Sequence, residues 1–258
     1  MLSNDEFQVG QVFVNPDRRK TRLWDDFVSV MTEAKQRGTN FNLELTSVNP
    51  GQLSRNGIRI EVLAPSQEFA IRTTDGLVPG GSQLTANAMS AVVRLWAGDS
   101  PRLLIAGDID KTGLDNLLKN NTEINADVLL FPHHGGLPGR SDPETFAESL
   151  AGAVSARLVV FSIGRGRHGT PRPEIVAAVL RSAQGTHIAC TQLSKHCAAE
   201  LPESASDLHN AFSKGAETAA CCTGTIEVSL ESDKSYLPDR AAHLEFIDKN
   251  APTALCRR

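Results

Sequence analysis

Tyrosine is almost missing from this chain: one Tyr and two Trp stand among 258 residues. A platform of aromatic rings for stacking the bases of a single strand is therefore not expected. No apolar run approaches the ~20 residues that a membrane-crossing helix needs, so no membrane partner is expected. The first residues, Met1-Leu-Ser-Asn-Asp-Glu6, are acidic and lack the apolar stretch of a secretory signal, which points to a cytoplasmic location. The formal net charge of −4 leaves no broad basic coat for nucleic acid. Bound metal ions would still supply local positive charge. There is no Cys-x-x-Cys pair. The five cysteines, Cys190, Cys197, Cys221, Cys222 and Cys256, fall late and are odd in number. That pattern fits a reducing compartment. Cys190, Cys197, Cys221 or Cys222, and Cys256 are conceivable zinc ligands with His187 and His196 nearby in sequence, but their loose spacing favours small buried thiols. No internal repeat and no low-complexity tract is present.

What the chain does have is concentrated between Arg102 and Gly136. Arg102-Leu-Leu-Ile-Ala-Gly-Asp108 and Ala126-Asp-Val-Leu-Leu-Phe-Pro-His133-His134-Gly-Gly136 are apolar runs that end in polar, metal-competent residues. Continuous apolar runs bounded by Gly or Pro predict strands buried on both faces. Between them Leu114, Leu117 and Leu118 recur at helical spacing. The unit reads strand, helix, strand, with strands ending at Asp108 and His133. Ligands of such units collect at the carboxyl ends of the strands. A carboxylate and imidazoles there suit zinc or manganese. Gly-Asp also serves as an ordinary turn. A His-His pair between Pro and Gly-Gly is rarer. Neighbours on an extended chain point to opposite faces, so one of His133 and His134 is expected to ligate.

These residues resemble the metallo-β-lactamase fold, and most closely its competence-protein (ComEC-like) branch. That branch pairs a Leu-Leu-x-Gly-Asp strand with a Lys-x-x-His-His-Gly-Ser strand. The resemblance extends to Asn87-Ala-Met-Ser90-Ala-Val-Val and to Val159-Val-Phe-Ser-Ile-Gly-Arg165-Gly-Arg167-His168-Gly-Thr-Pro171, and spans roughly residues 7 to 190. It implies an α/β, metallo-β-lactamase-like αβ/βα sandwich. It also implies two zinc or manganese ions, with Asp108, His133 and His134 as catalytic and metal-binding residues. The family's first metal signature, His-x-His-x-Asp-His, is absent, so the fold is expected to be N-terminally incomplete. His168 stands where the family has Tyr, and Thr170 where it has His.

Elsewhere the pattern predicts a strand over Gln8–Val14, a helix over Arg22–Arg37 stopped by Gly38, and strands over Phe41–Leu45 and Ile58–Leu63. Ala64–Ala86 reads as a long loop bordering the site. Strands follow over Ser90–Trp96, Arg157–Ile163 and Thr186–Thr191, with helices from Pro143 and Thr170. Ser141 or Asp142 is expected to cap the Pro143 helix. The segment 195–220 reads as an insertion, 224–230 as a terminal strand, and 238–258 as an appendage. One domain over 1–258 is expected, with a core of about 7–192 plus the terminal strand.

Two functions follow. In the first, the chain is a metal-dependent hydrolase of phosphodiester bonds in nucleic acid or nucleotides. Asp108 then bridges two ions, and Asn87, Ser90, Arg140, Arg165, Arg167 and His168 bind substrate. In the second, it is a non-catalytic regulatory or interaction subunit. Either way, a partner chain or self-association is expected to cover the place of the missing N-terminal strands.

Overall fold

The computed structural model describes residues 8–15, 21–42, 45–46, 54, 56–78, 81, 83–164, 168–198, 221–231 and 235–257. A first unit is strand β1 (Gln11–Phe13), helix α1 (Arg22–Gln36) and strand β2 (Asn40–Asn42), with β1 and β2 parallel. Thr21 caps α1 by accepting from Trp24 N–H. Ala34 is the buried residue of this helix, while Leu23 is 81% exposed.

The main body is a six-stranded mixed sheet. Its strands are β3 (Ile58–Ala64), β4 (Val92–Ala97), β5 (Ser100–Ile105), β6 (Val128–Leu130), β7 (Leu158–Phe161) and β8 (His187–Cys190), hydrogen-bonded in that order. β3, β4 and β5 run antiparallel, and β5 through β8 run parallel. The parallel strands carry the continuous apolar runs because both sheet faces are covered. Leu129, Val159 and Ile188 face a core shared with helices α3 (Lys111–Asn120), α4 (Pro143–Val154), α5 (Pro173–Ser182) and α6 (Arg240–Asn250). Val128, Leu158, Val160 and Ala189 face the other way. Ile226, together with Val228 and Tyr236 of the small antiparallel pair β9 (Glu227–Val228) and β10 (Tyr236–Leu237), packs against them. The fold is therefore mixed α/β.

Several expectations change. Ala64–Ala86 is not a plain loop, for Gln67–Arg72 forms helix α2, capped by Ser66. The 224–230 strand shortens to β9, which covers a sheet face rather than extending the sheet. The segment 238–258 is no appendage, because Phe246, Ile247, Ala251 and Ala254 belong to the main core. Asp142, not Ser141, caps α4, accepting from Thr145 N–H. Most of the 195–220 segment lies outside the described residues. Among the described residues no helix is long and apolar enough to cross a membrane. The cysteines are free thiols, four of them buried and Cys256 partly so.

One buried polar chain joins these layers. Tyr236 OH lies 3.0 Å from His187 Nδ1, and His187 Nε2 lies 2.8 Å from His243 Nδ1. Burial, then the neighbouring His243, pushes His187 down to about 3, and burial pushes His243 down to about 4. Both imidazoles are neutral, each with one N–H to donate.

Candidate functional site

β5 and β6 are adjacent parallel strands, so the chain leaves both at the same edge of the sheet. The strands stop earlier than expected: β5 at Ile105, three residues before Asp108, and β6 at Leu130, three before His133. Asp108 stands exposed on the turn after β5. Asp110, two residues on, caps α3 by accepting from Gly113 N–H at 3.0 Å, and also accepts from Thr85 Oγ1.

His133 and His134 are not on extended backbone. They sit in a short helical turn, Pro132–Gly135, and both are left-handed, at φ 51° and φ 56°. Strand alternation therefore does not separate them. Non-glycine residues enter this region at a cost of roughly 1–2 kcal/mol each, and runs of them concentrate at functional sites. Gly135, at φ 76°, continues the turn. Arg172 N–H donates to Gly135 O at 2.9 Å, tying the turn to the start of α5.

The two imidazoles have different surroundings. His134 is exposed, and its Nδ1 lies against Ser162 O, which leaves Nε2 as the free ring nitrogen. His133 is partly buried. Burial lowers its pKa, and the charges of Asp108 and Asp110 with an Ile109 backbone hydrogen bond oppose that shift. The charges of the acids that follow β5 thus reach the histidine that follows β6. His133 Nε2 is a buried atom with no hydrogen-bond partner.

His133 and His134 open onto a cleft of about 610 Å³, also lined by Leu137, Gly164, His168 and Arg172. His168 was expected here; Arg172 was not. Its sequence signal is Pro171-Arg172-Pro173, a cation held between two prolines at the mouth of α5. Arg172 also bonds the Glu174 carboxylate. Arg140 does not line this cleft. It lines a second one of about 660 Å³ with Asp110, Lys111, Thr112 and Ser141. Asn87 is exposed on the turn before β4, and Ser90 packs beside Gly107 of the Asp108 turn; neither lines the 610 Å³ cleft. Arg165 and Arg167 lie outside the described residues.

The fit of a metal can be judged from the donors. Among the described residues no three His, Cys, Asp or Glu side chains are grouped to hold an ion. Asp108 and His133 are two donors, one short of the three protein ligands of a catalytic zinc. The described residues by themselves do not fit the group.

No family model matches the chain, and no curated protein matches it.

Proposed function

We propose that this chain is a metallo-β-lactamase-like hydrolase domain of the αβ/βα sandwich class, with its described residues holding half of a zinc or manganese centre. The His133–His134 cleft takes a phosphodiester, either nucleic acid or a nucleotide. One observation carries the reading. Two consecutive histidines are held left-handed at the end of a parallel strand, beside the acids of the neighbouring strand end. Backbone strain of that kind persists where the surrounding structure enforces it.

Because the donors fall short, no step is derived through a metal. The roles of the chain's own groups follow from their placement. Arg172 and His168 line the same cleft as His134 and carry hydrogen-bond donors suited to a phosphate oxygen. The second reading, an interaction subunit, is favoured by α1, where Leu23 is 81% exposed.

Fluorescence anisotropy with labelled oligonucleotides and nucleotides, alongside cleavage assays with zinc, manganese or chelator, tests the proposal. Salt-sensitive binding is expected, weakened about tenfold by Arg172→Ala, the worth of a charged hydrogen bond of about 1.5 kcal/mol. Little or no cleavage by the chain alone is expected. Absence of binding to every nucleic acid and nucleotide would sink the phosphodiester assignment and favour the interaction subunit. Robust, chelator-sensitive cleavage would overturn the half-centre and place further ligands among the undescribed residues.

A further inference from the structure

The two clefts share a wall. Gly136 and Leu137 line the His133–His134 cleft, and the residues that follow directly, Pro138 to Ser141, line the second cleft of about 660 Å³. Leu137, on that wall, is 51% exposed. Asp110 joins the clefts again, for it lines the second while its charge reaches His133 in the first. Leu137 and Arg140 are three residues apart, at most about 11 Å along the chain.

The groups of the second cleft suit an anion. Lys111, Arg140, Thr85, Thr112 and Ser141 bring two cations and three hydroxyls to its lining. Arg140 is exposed, and no ion pair among the described residues engages it. Lys111 pairs with Asp115 on the surface of α3, a contact of little strength. Asp110 is the carboxylate of the lining, and both its oxygens are occupied. Oδ1 accepts from Gly113 N–H and Oδ2 from Thr85 Oγ1. Ser141 Oγ donates to Pro138 O at 2.8 Å, and Gly139 is left-handed at φ 78°, so the turn that carries Arg140 is closed by its own hydrogen bond. Two cations against one occupied carboxylate leave this lining with net positive charge.

We propose that the second cleft is a further phosphate subsite, and that the site as a whole takes an oligonucleotide lying across the 136–141 wall rather than a mononucleotide. The proposal rests on the phosphodiester reading of the His133–His134 cleft. One phosphate meets Arg172 and His168. A phosphate further along the strand meets Arg140, whose planar fork suits two of its oxygens, with Lys111 adding a point charge. Leu137 and Pro138, between the two, offer apolar surface to a sugar or base. The span agrees, since about 11 Å covers about three nucleotides of a stacked strand at ~3.4 Å each. Contacts of this kind grip the phosphates and carry no sequence information, so binding is indifferent to base order. They also need no aromatic platform, which this chain is too poor in rings to build.

The test titrates the full chain by calorimetry with oligothymidylates carrying from one to five phosphodiesters, at several salt concentrations. In the unaltered chain affinity should rise about tenfold along the series, the worth of one added charged hydrogen bond, and then level off. Arg140→Ala should flatten that rise. It should also make the salt slope of the longest member shallower by about 0.7, the share of one single-strand phosphate contact. Arg172→Ala should weaken every member. Arg140 is exposed, so its variant should keep the parent's urea midpoint. Affinity that does not change with length, or a rise and a slope that Arg140→Ala leaves intact, overturns the second subsite while the phosphodiester reading stands. Equal weakening of every member by Arg140→Ala overturns it too, for Arg140 then acts on the first phosphate. No binding by any member overturns both.

Discussion

Asp127→Ala is expected to lower folding stability by about 3–5 kcal/mol, the range for stranding one member of a buried ion pair. The partner is Arg102 on β5, whose side chain is 1% exposed. Arg102 Nη1 bonds Asp127, and its Nη2 donates to Ser229 O at 2.7 Å. Arg102 Nε is already buried without a partner. Removing the carboxylate leaves a guanidinium that cannot lose its charge and cannot reach water. Arg157 also approaches Asp127, at 3.5 Å, but is half exposed. Arg157→Ala should therefore cost less than about 1 kcal/mol. Adding Arg102→Met to Asp127→Ala should recover part of the loss, because no charge is then stranded. Urea unfolding midpoints measure all four proteins. An Asp127→Ala protein within about 1 kcal/mol of the parent would refute the stranded-charge account. The pair lies at the start of β5, opposite the cleft end of the sheet, so ligand binding in the refolded variant should be unaltered.

Gly135→Ala is the second large effect, and it bears on the site. A Cβ there would stand 2.5 Å from Pro171 Cβ and 2.7 Å from Phe161 Cδ1, at a φ of +76°. Overpacking costs about 1–3 kcal/mol, and the left-handed backbone adds roughly 1–2 kcal/mol for a residue with a Cβ. A loss of about 2–5 kcal/mol is expected from the two together. Relief of the clash must also move the turn, so the histidine ring signals in NMR should shift. Gly139 is the control. It shares a positive φ, but its Cβ would meet nothing closer than 4.0 Å. Gly139→Ala should cost only the backbone strain, roughly 1–2 kcal/mol. Equal stability losses for the two variants would mean that packing against Phe161 and Pro171 does not hold the turn.

Around His133 the strand is legible in the sequence and the turn after it is not. Val128-Leu-Leu130 is legible as a buried strand because apolar residues on both faces leave a continuous run. Pro132 and the Gly135–Gly136 pair mark the end of that strand. What no local pattern encodes is the left-handed backbone of the two histidines, since groups distant in sequence, among them Phe161, Pro171, Ser162 O and the Arg172 N–H, pack against and bond the turn in that shape. Periodicity alone therefore assigned the imidazoles to opposite faces, where the structure gives them adjacent left-handed positions with different partners.

Residue pattern by itself determined the parallel strands, the helices α1, α3, α4 and α5, and the placing of Asp108 and the two histidines on the turns that follow neighbouring strands. Each of these follows from a local period or from the direction of a strand–helix–strand unit. Tertiary structure alone decided the rest. It set Arg172 in the cleft and Arg140 in another, and it packed α6 into the core. It also brought Cys190, Cys197, Cys222 and Cys256 to one cavity across a long separation in sequence. Such contacts depend on which distant surfaces bury each other, and that depends on packing of the whole chain rather than on any window of it.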